Sequence, residues 1–340
     1  MGGARHEGAR SVCGMTVSIR DLRPGDPSDA ESVVRVLRAA LPFTITTAEG
    51  VAFELSSAHP AKHHRILVAE GPDGLVIGTA QVGIAYDSPE PGQSYVNAYV
   101  DPAHRGLGAG RLLLRAGEEH LAALGAVDVY AWVLDEPAHR AFAERHGYRA
   151  SRSAHFLRLD LTTATLPEPP RDEDLPAGVE LRPGSAFAAD PRPLFEADAE
   201  TTSDEPGDVA AGFDDYEHWL AQTWHSPSLD KELTTVALVD GVVASFAAAQ
   251  TDGATRYGSA MTGTLRAFRG RGLAKLAKTV SLHRARAAGY TEAFTGNDAG
   301  NGPMLAINEW FGYEICATET RFTKKLTTPK PKQPRGPENL

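Results

Sequence analysis

Two short stretches of the chain place arginine and small residues at the same spacing. The first is Arg105-Gly106-Leu107-Gly108-Ala109-Gly110, and the second is Arg269-Gly270-Arg271-Gly272-Leu273-Ala274. Glycine and alanine leave the backbone uncovered, so several N–H groups at the start of a helix can bind one phosphate group. Arg111 and Lys275, each directly after its loop, add positive charge. The pattern therefore predicts two anion sites, each suited to a diphosphate.

A purely structural role for the two loops is less well supported. A strand, a tight turn and a helix with glycines for close packing would need no ligand, but the repetition of the pattern favours a binding site. The dinucleotide fingerprint requires a glycine where one copy has Arg111 and the other has Lys275. No Gly-Lys-Ser or Gly-Lys-Thr sequence occurs, which excludes a Walker loop.

The composition limits the class of protein. A chain of 340 residues with 42% hydrophobic and 23% charged residues can form about two globular domains. The net charge of −10 argues against nucleic-acid binding and suits a cationic substrate. The only cysteines, Cys13 and Cys316, imply no disulfide framework, so we expect a cytoplasmic location. We expect neither a membrane span nor a secretory signal, because no sufficiently long apolar run occurs.

Several features recur about 164 residues apart, which indicates internal duplication. The two loops are separated by this interval. The glycines that end the helices after the loops, Gly125 and Gly289, share it, and the Gly-Tyr pairs at 147–148 and 312–313 nearly do. A spacing that stays nearly constant over so much of the chain predicts two copies of one fold.

The sequence divides into five segments on this interpretation. Residues 1–14 lack any periodic pattern and are predicted to be a disordered extension. We expect a first domain at 15–161, a proline-rich acidic linker at 162–178 and a second domain at 179–326. Residues 327–340, rich in proline and lysine, are predicted to be a disordered tail.

The loop pattern resembles the acetyl-CoA pyrophosphate loop of the GNAT superfamily, the GCN5-related N-acetyltransferases. Their signature is Arg or Gln, two residues, Gly, one residue, then Gly or Ala. The resemblance covers nearly the whole chain and implies two tandem GNAT domains of mixed α/β class, each with a mostly antiparallel mixed sheet and flanking helices. It also implies acetyl-CoA as co-substrate, in an opening between the strand before the loop and the strand after the loop helix. Backbone N–H groups near Val100 and Leu265 would hold its thioester.

The two copies differ beyond the loop. A tyrosine that commonly protonates the departing thiolate in this superfamily would fall at Ala143 and Asn308, so neither copy has it. The second copy is similar to an asparagine-rich form found in some tandem GNAT proteins, including relatives of mycothiol synthase. That similarity implies that Asn297 and Asn301 contact the CoA arm. Asn301 and Met304 would lie on one face of the following helix. The alternative to a contact with CoA is that Asn301 caps this helix and Met304 packs in the core.

We therefore predict that the second copy is catalytic, with Asn308 and Tyr257 as its candidate catalytic residues. The first copy would bind acetyl-CoA without turnover or only brace the fold. An attacking amine must lose a proton, so a base is required. Tyr257 could be that base or a core phenol. Four acids of the helical region before Tyr257 are also candidates for the base, and the alternative for each is a surface acid without a catalytic role. They are Glu200, Asp214, Asp215 and Glu217.

An aromatic group and a histidine group are also candidates for parts of a binding site. The aromatic residues Phe213, Tyr216, Trp219 and Trp224 either line an acceptor pocket or form the core face of a helix, and the second interpretation is the safer one. The histidines of the sequence His-Pro-Ala-Lys-His-His at 59–64 lack the acid or cysteine that would complete a metal site, so no metal is expected.

The sequence thus predicts an acetyl-CoA-dependent N-acetyltransferase that transfers the acetyl group directly to a small-molecule amine. Neither a nucleic-acid nor a membrane partner is expected, and the protein would be a monomer or a homodimer. The alternative from another class is a non-catalytic acyl-CoA-binding or scaffold protein, which the missing tyrosine supports.

Overall fold

The computed structural model describes residues 16–86, 88, 90–205 and 215–326. The predicted extension at 1–14, the predicted tail at 327–340, Phe213 and Asp214 lie outside them. The elements of the first copy are β1 (Ser18–Asp21), α1 (Pro27–Ala40), α2 (Ala48–Ser57), β2 (Arg65–Glu70), β3 (Val76–Ile84), β4 (Gln93–Val100), α3 (Ala109–Ala123), β5 (Asp128–Leu134), α4 (Pro137–Arg145) and β6 (Arg149–Asp160).

The second copy repeats this order. Its elements are β7 (Val179–Pro183), α5 (Arg192–Thr202), α6 (Tyr216–Trp219), β8 (Leu229–Val239), β9 (Val242–Thr251), β10 (Arg256–Thr264), α7 (Leu273–Ala287), β11 (Glu292–Asp298), α8 (Gly302–Trp310) and β12 (Glu314–Lys325). The helices after the two loops, α3 and α7, each have 15 residues, and α4 and α8 each have 9. This correspondence allows residues of the two copies to be compared position by position.

All of these strands belong to one 12-stranded sheet with the order β1-β2-β3-β4-β5-β12-β6-β11-β10-β9-β8-β7. Its pairs are antiparallel except for β4 with β5 and β10 with β11, which are parallel. The predicted mixed α/β class with a mostly antiparallel mixed sheet is therefore confirmed.

The two copies exchange their last strands. Strand β12 of the second copy pairs with β5 of the first, from Glu319 opposite Leu134 to Lys325 opposite Asp128. Strand β6 of the first copy pairs with β11 of the second along the whole length of β11. Since β6 and β12 also pair with each other, the two copies share one continuous ladder of backbone hydrogen bonds.

The hydrophobic cores follow the same exchange. Phe322 on β12 is fully buried in the core of the first copy, among residues such as Leu113 and Tyr148. Leu157 and Leu159 on β6 are buried in the core of the second copy. Each copy therefore buries apolar side chains of a strand that comes from the other.

The segment predicted to be a linker also packs against the second copy. Leu166 is buried in the second core. The carbonyl oxygens of Ala164 and Pro167 accept hydrogen bonds from Arg286 and His283 of α7, at 2.6 and 2.8 Å. The chain between the copies is thus held on the surface of α7 rather than extending freely.

The strand exchange predicts one cooperative unfolding transition. We expect Phe322→Ala to lower the free energy of unfolding by about 3–5 kcal/mol, because a fully buried aromatic ring is lost and a cavity remains. Urea unfolding followed by circular dichroism and tryptophan fluorescence would measure this change. Ile315→Ala, at a side chain of the same strand that is 56% exposed, serves as the control and should change stability little. Two separate transitions would contradict the prediction.

Candidate functional site

An opening lies between the two central parallel strands of each copy. Strands β10 and β11 pair only over their first three residues, from Arg256 opposite Glu292 to Gly258 opposite Phe294. Beyond these pairs the two strands separate, and a cavity of about 600 Å³ lies between them and the second loop. Strands β4 and β5 separate in the same way beside a cavity of about 610 Å³ at the first loop.

The loop glycines adopt backbone conformations that other residues disfavour. Gly108 and Gly272, which precede helices α3 and α7, have φ angles of +89° and +78°. A Cβ atom added at either glycine would meet no other atom within 4 Å, so close packing does not require them. Neither helix has a side-chain cap at its start, which leaves the first N–H groups available to an anion.

Nearly all of the predicted loop residues line the two cavities. The cavity of the second copy is lined by Arg269, Gly270, Arg271, Gly272, Leu273, Ala274 and Lys275, and by the predicted asparagines Asn297 and Asn301. The cavity of the first copy is lined by Val100, Arg105, Gly106, Gly108, Ala109, Gly110 and Arg111. Leu107 does not line it, and its side chain is 50% exposed to solvent.

The structure does not bring Leu265 to the cavity. The backbone N–H of Leu265 donates to the carbonyl oxygen of Ala244 at 3.0 Å, so it is occupied within the sheet. A different backbone feature faces the opening of the second copy. Between Ser259 and Met261 the register of β10 against β9 shifts, which leaves Ala260 as the extra residue of a β-bulge. In the first copy, β4 pairs with β3 without such a shift.

The two predicted catalytic residues do not face the cavity directly. Tyr257 is fully buried, its hydroxyl lies 2.7 Å from the Ser281 hydroxyl, and burial raises its pKa. Tyr257 itself does not line the cavity, so its position supports the interpretation as a core phenol more than that as the base. The Asn308 side chain is also fully buried, and its amide donates to the Oδ1 atom of Asn297 at 2.6 Å.

The acids that were predicted to wall the cavity have other roles or positions. Glu200 accepts a hydrogen bond from the backbone N–H of Arg266 at 2.7 Å. Asp215 caps the start of α6, and Glu217 is exposed on that helix. Tyr216, Trp219 and Trp224 pack in or against a core cluster, which confirms the interpretation as a helix face.

Two acids outside the predicted set line the second cavity: Asp204 and Glu205, just after the end of α5. Asp204 accepts hydrogen bonds from the guanidinium groups of Arg266, at 2.5 Å, and of Arg269. These bonds hold the pKa of Asp204 at about 2, so it is ionised near neutral pH. In the sequence, Asp204 and Glu205 are marked only by their position just after a predicted helix.

Glu205 differs from its neighbour in its surroundings. Desolvation, followed by the effect of the nearby Asp198 carboxyl, raises the pKa of Glu205. Asp198 itself is buried and accepts a hydrogen bond from the Trp219 indole at 2.8 Å. A carboxyl group with a raised pKa beside a cavity has the chemistry of a general base.

The lining of the first cavity differs from that of the second in having arginines without carboxylates among the described residues. Its titratable side chains include three histidines and three arginines, and none of the described residues that line it is Asp or Glu. These basic side chains are His104, Arg105, Arg111, His139, Arg145 and His146. Desolvation lowers the pKa of His139, which keeps it neutral. This lining suits an anion better than an ammonium group.

The fold agrees with the comparisons. Residues 62–150 match the family model of the acetyltransferase (GNAT) domain. A Clavibacter sepedonicus relative is 30% identical over 267 residues, covering 76% of this chain and 80% of its own length. The chain therefore belongs to the GNAT acetyltransferases, as a tandem member. It is an acyltransferase that uses acetyl-CoA as co-substrate.

Within this superfamily, the Clavibacter relative bears the name mycothiol acetyltransferase, as does one from Nocardia farcinica. The Nocardia protein is 31% identical over 294 residues, covering 82% of this chain and 90% of its own length. Among solved structures, a tandem GNAT protein from the clavulanic acid biosynthesis pathway has a TM-score of 0.68 at 18% identity, covering 92% of this chain and 100% of its own. In the part of the chain that the structure describes, no helix is long and apolar enough to span a membrane.

The pairing of Asp204 with Arg269 predicts an effect on cofactor affinity. The Asp204 carboxylate competes with a phosphate for the Arg269 guanidinium, so Asp204→Asn should tighten acetyl-CoA binding about two- to fivefold at low salt. Calorimetric titration would measure this. Asp172→Asn removes the same charge from an exposed position away from the cavities and should leave affinity unchanged. Weaker binding in Asp204→Asn would show that the carboxylate holds Arg269 in its binding position.

Proposed function

We propose that the second copy transfers the acetyl group of acetyl-CoA to a primary amine of a small molecule, by direct attack in a ternary complex. The observation that carries this proposal is the presence of Asp204 and Glu205 in the second cavity, beside the loop and helix N-terminus. Carboxylates attract an ammonium substrate and can accept its proton. Both cavities have basic side chains at the loop, but among the described residues carboxylates line the second cavity and not the first.

The bulge of β10 supports the same assignment. Bulges are frequent next to active sites, where they redirect the backbone out of the ladder. Ala260 lines the second cavity at the point where β10 leaves β11. We assign the thioester contact to backbone donors near Ala260 rather than at Leu265, whose N–H is already bonded. The first copy, without a bulge in β4, has no equivalent feature.

Glu205 is the base in this proposal. Asp204 is bound to two arginines and has a low pKa, so it is a poor proton acceptor. Glu205 combines a position on the cavity wall with a raised pKa, which brings it closer to the operating range of a general base.

Direct transfer needs no nucleophilic residue of the protein. Cys316, the cysteine within the described residues, lies on β12, does not line the second cavity and has a pKa raised by burial. Acetyl-CoA supplies the activated acetyl group, and the chain's own residues bind the diphosphate, orient the acyl arm and take the proton of the amine.

The names of the relatives guide the choice of acceptors. Because the relatives are called mycothiol acetyltransferases, the amine form of mycothiol belongs in the acceptor panel, together with amino sugars, polyamines and amino acid derivatives. The second cavity has a volume of about 600 Å³, and the acyl arm of acetyl-CoA would occupy most of it. The remaining space suits a small acceptor.

Tryptophan at each loop glycine tests which copy is catalytic. Gly272→Trp should abolish acetyl transfer, because the new side chain projects into open space at the loop, whereas Gly108→Trp should leave the rate nearly unchanged. The two glycines have similar left-handed backbones, so each variant controls for the strain of the other. Calorimetry and a thiol-release assay would report binding and turnover separately.

The opposite result would assign catalysis to the first copy. If wild-type protein binds acetyl-CoA but acetylates no amine in the panel, the proposed transfer to these small-molecule amines is wrong.

Replacement of the proposed base tests the mechanism. We expect Glu205→Gln to lower kcat by about 10²- to 10⁴-fold while the affinity for acetyl-CoA stays unchanged. Its pH–rate profile should also lose the ascending limb that reports ionisation of the base. Glu217→Gln, an exposed acid outside the cavity, is the matched control. An active Glu205→Gln enzyme with an unaltered profile would mean that water accepts the proton.

A further inference from the structure

A lysine lies fully buried in the second copy, away from any carboxylate among the described residues. Lys278 is on α7 with no exposed surface, and its Nζ atom lies 4.7 Å from the centre of the Tyr313 ring. Burial lowers its pKa to about 7, and no opposite charge offsets that shift. Burying an amino group without an opposite charge lowers the stability of the fold, and hydrogen bonds offset this cost only in part.

The lysine is connected to the cavity through two amides. Its Nζ atom donates to the Oδ1 atom of Asn308 at 2.5 Å, and the Nδ2 atom of Asn308 donates to the Oδ1 atom of Asn297 at 2.6 Å. Asn297 lies on β11 and lines the opening opposite β10. A chain of hydrogen bonds therefore runs from the core to the cavity wall.

The chemistry of the lysine fixes the direction of this chain. In its protonated form Lys278 has only donors, so Asn308 turns its carbonyl oxygen toward Lys278 and its NH₂ group toward Asn297. Asn297 must then accept with its own oxygen, which leaves its NH₂ group with no acceptor among the described residues. Two N–H donors consequently remain for a ligand in the cavity.

The first copy shows that the fold does not need these polar side chains. Lys278 is the sixth residue of α7, and the sixth residue of α3 is Leu114. Asn308 is the seventh residue of α8, and the seventh of α4 is Ala143. Leu114 and Ala143 are buried beside the first cavity. The same two positions are therefore apolar in one copy and polar in the other.

We propose that Lys278 and Asn308 are positioning residues that turn the Asn297 NH₂ group into the second cavity, where it donates to a carbonyl or thioester acceptor of the acyl arm. This inference rests on the proposed function in so far as the second cavity binds acetyl-CoA. It gives Asn308 a role without direct contact with the reacting atoms.

Two variants separate positioning from stability. Lys278→Met removes the donor and leaves the buried Asn308 oxygen unsatisfied, so it should lower Tm by about 2–8 °C. The double variant Lys278→Leu with Asn308→Ala reproduces the pair of the first copy and should return Tm to near the wild-type value or above. Both variants should weaken acetyl-CoA binding about tenfold. Calorimetry would measure this affinity in a Gly108→Trp background, in which the first loop is blocked and binding is restricted to the second cavity.

The pattern of results decides the inference. A positioning role is supported if both variants bind acetyl-CoA more weakly while only Lys278→Met has a lower Tm. Wild-type affinity in the double variant, or affinity that recovers together with Tm, would show a purely structural role and overturn the proposal. Absence of acetyl-CoA binding in the Gly108→Trp background would also overturn it. Because binding is the readout, failure to find an acetylated amine would count against the proposed function alone.

Discussion

The pairing of β12 with β5 and β6 in the middle of the sheet is the interaction on which the rest of the structure depends. Strands β4 and β5 must separate to create a cavity, and so must β10 and β11. A strand that separates from one neighbour needs another to satisfy its backbone groups. The exchanged strands β12 and β6 pair with the far edges of β5 and β11, which keeps these strands in the sheet while the backbone groups that face the two openings stay available to a ligand.

The two cavities share a backbone plan but differ in charge. Both have a glycine loop and a helix N-terminus directed at an anion. Only the second combines this with carboxylates, a bulge in the strand before the loop and a buried polar chain that ends at Asn297. The loop geometry that is predicted to bind a diphosphate therefore occurs in both copies, whereas the carboxylates of the proposed amine site line the second cavity.

Much of the fold could be predicted because the signals are local. Spacing predicted the loops, and positive φ angles at Gly108 and Gly272 explain why glycine stands there. The strand exchange could not be predicted, since an alternating strand such as β12 does not encode its partner. The burial of Tyr257 could not be predicted, because alternation does not reveal which face of a central strand is buried. Glu205 was missed because its place depends on how α5 docks, and Lys278 because helical position alone does not distinguish a buried lysine from an exposed one.

The exchange of β6 also bears on the history of the protein. Strand β6 completes the sheet beside β11, and its Arg152 pairs with Asp298 at the end of that strand, at 2.8 Å. A descendant that lost its first copy would lose this strand as well, together with part of the core around Leu157. On the proposed assignment of catalysis to the second copy, selection for that activity is enough to retain the strands and core residues that the first copy contributes.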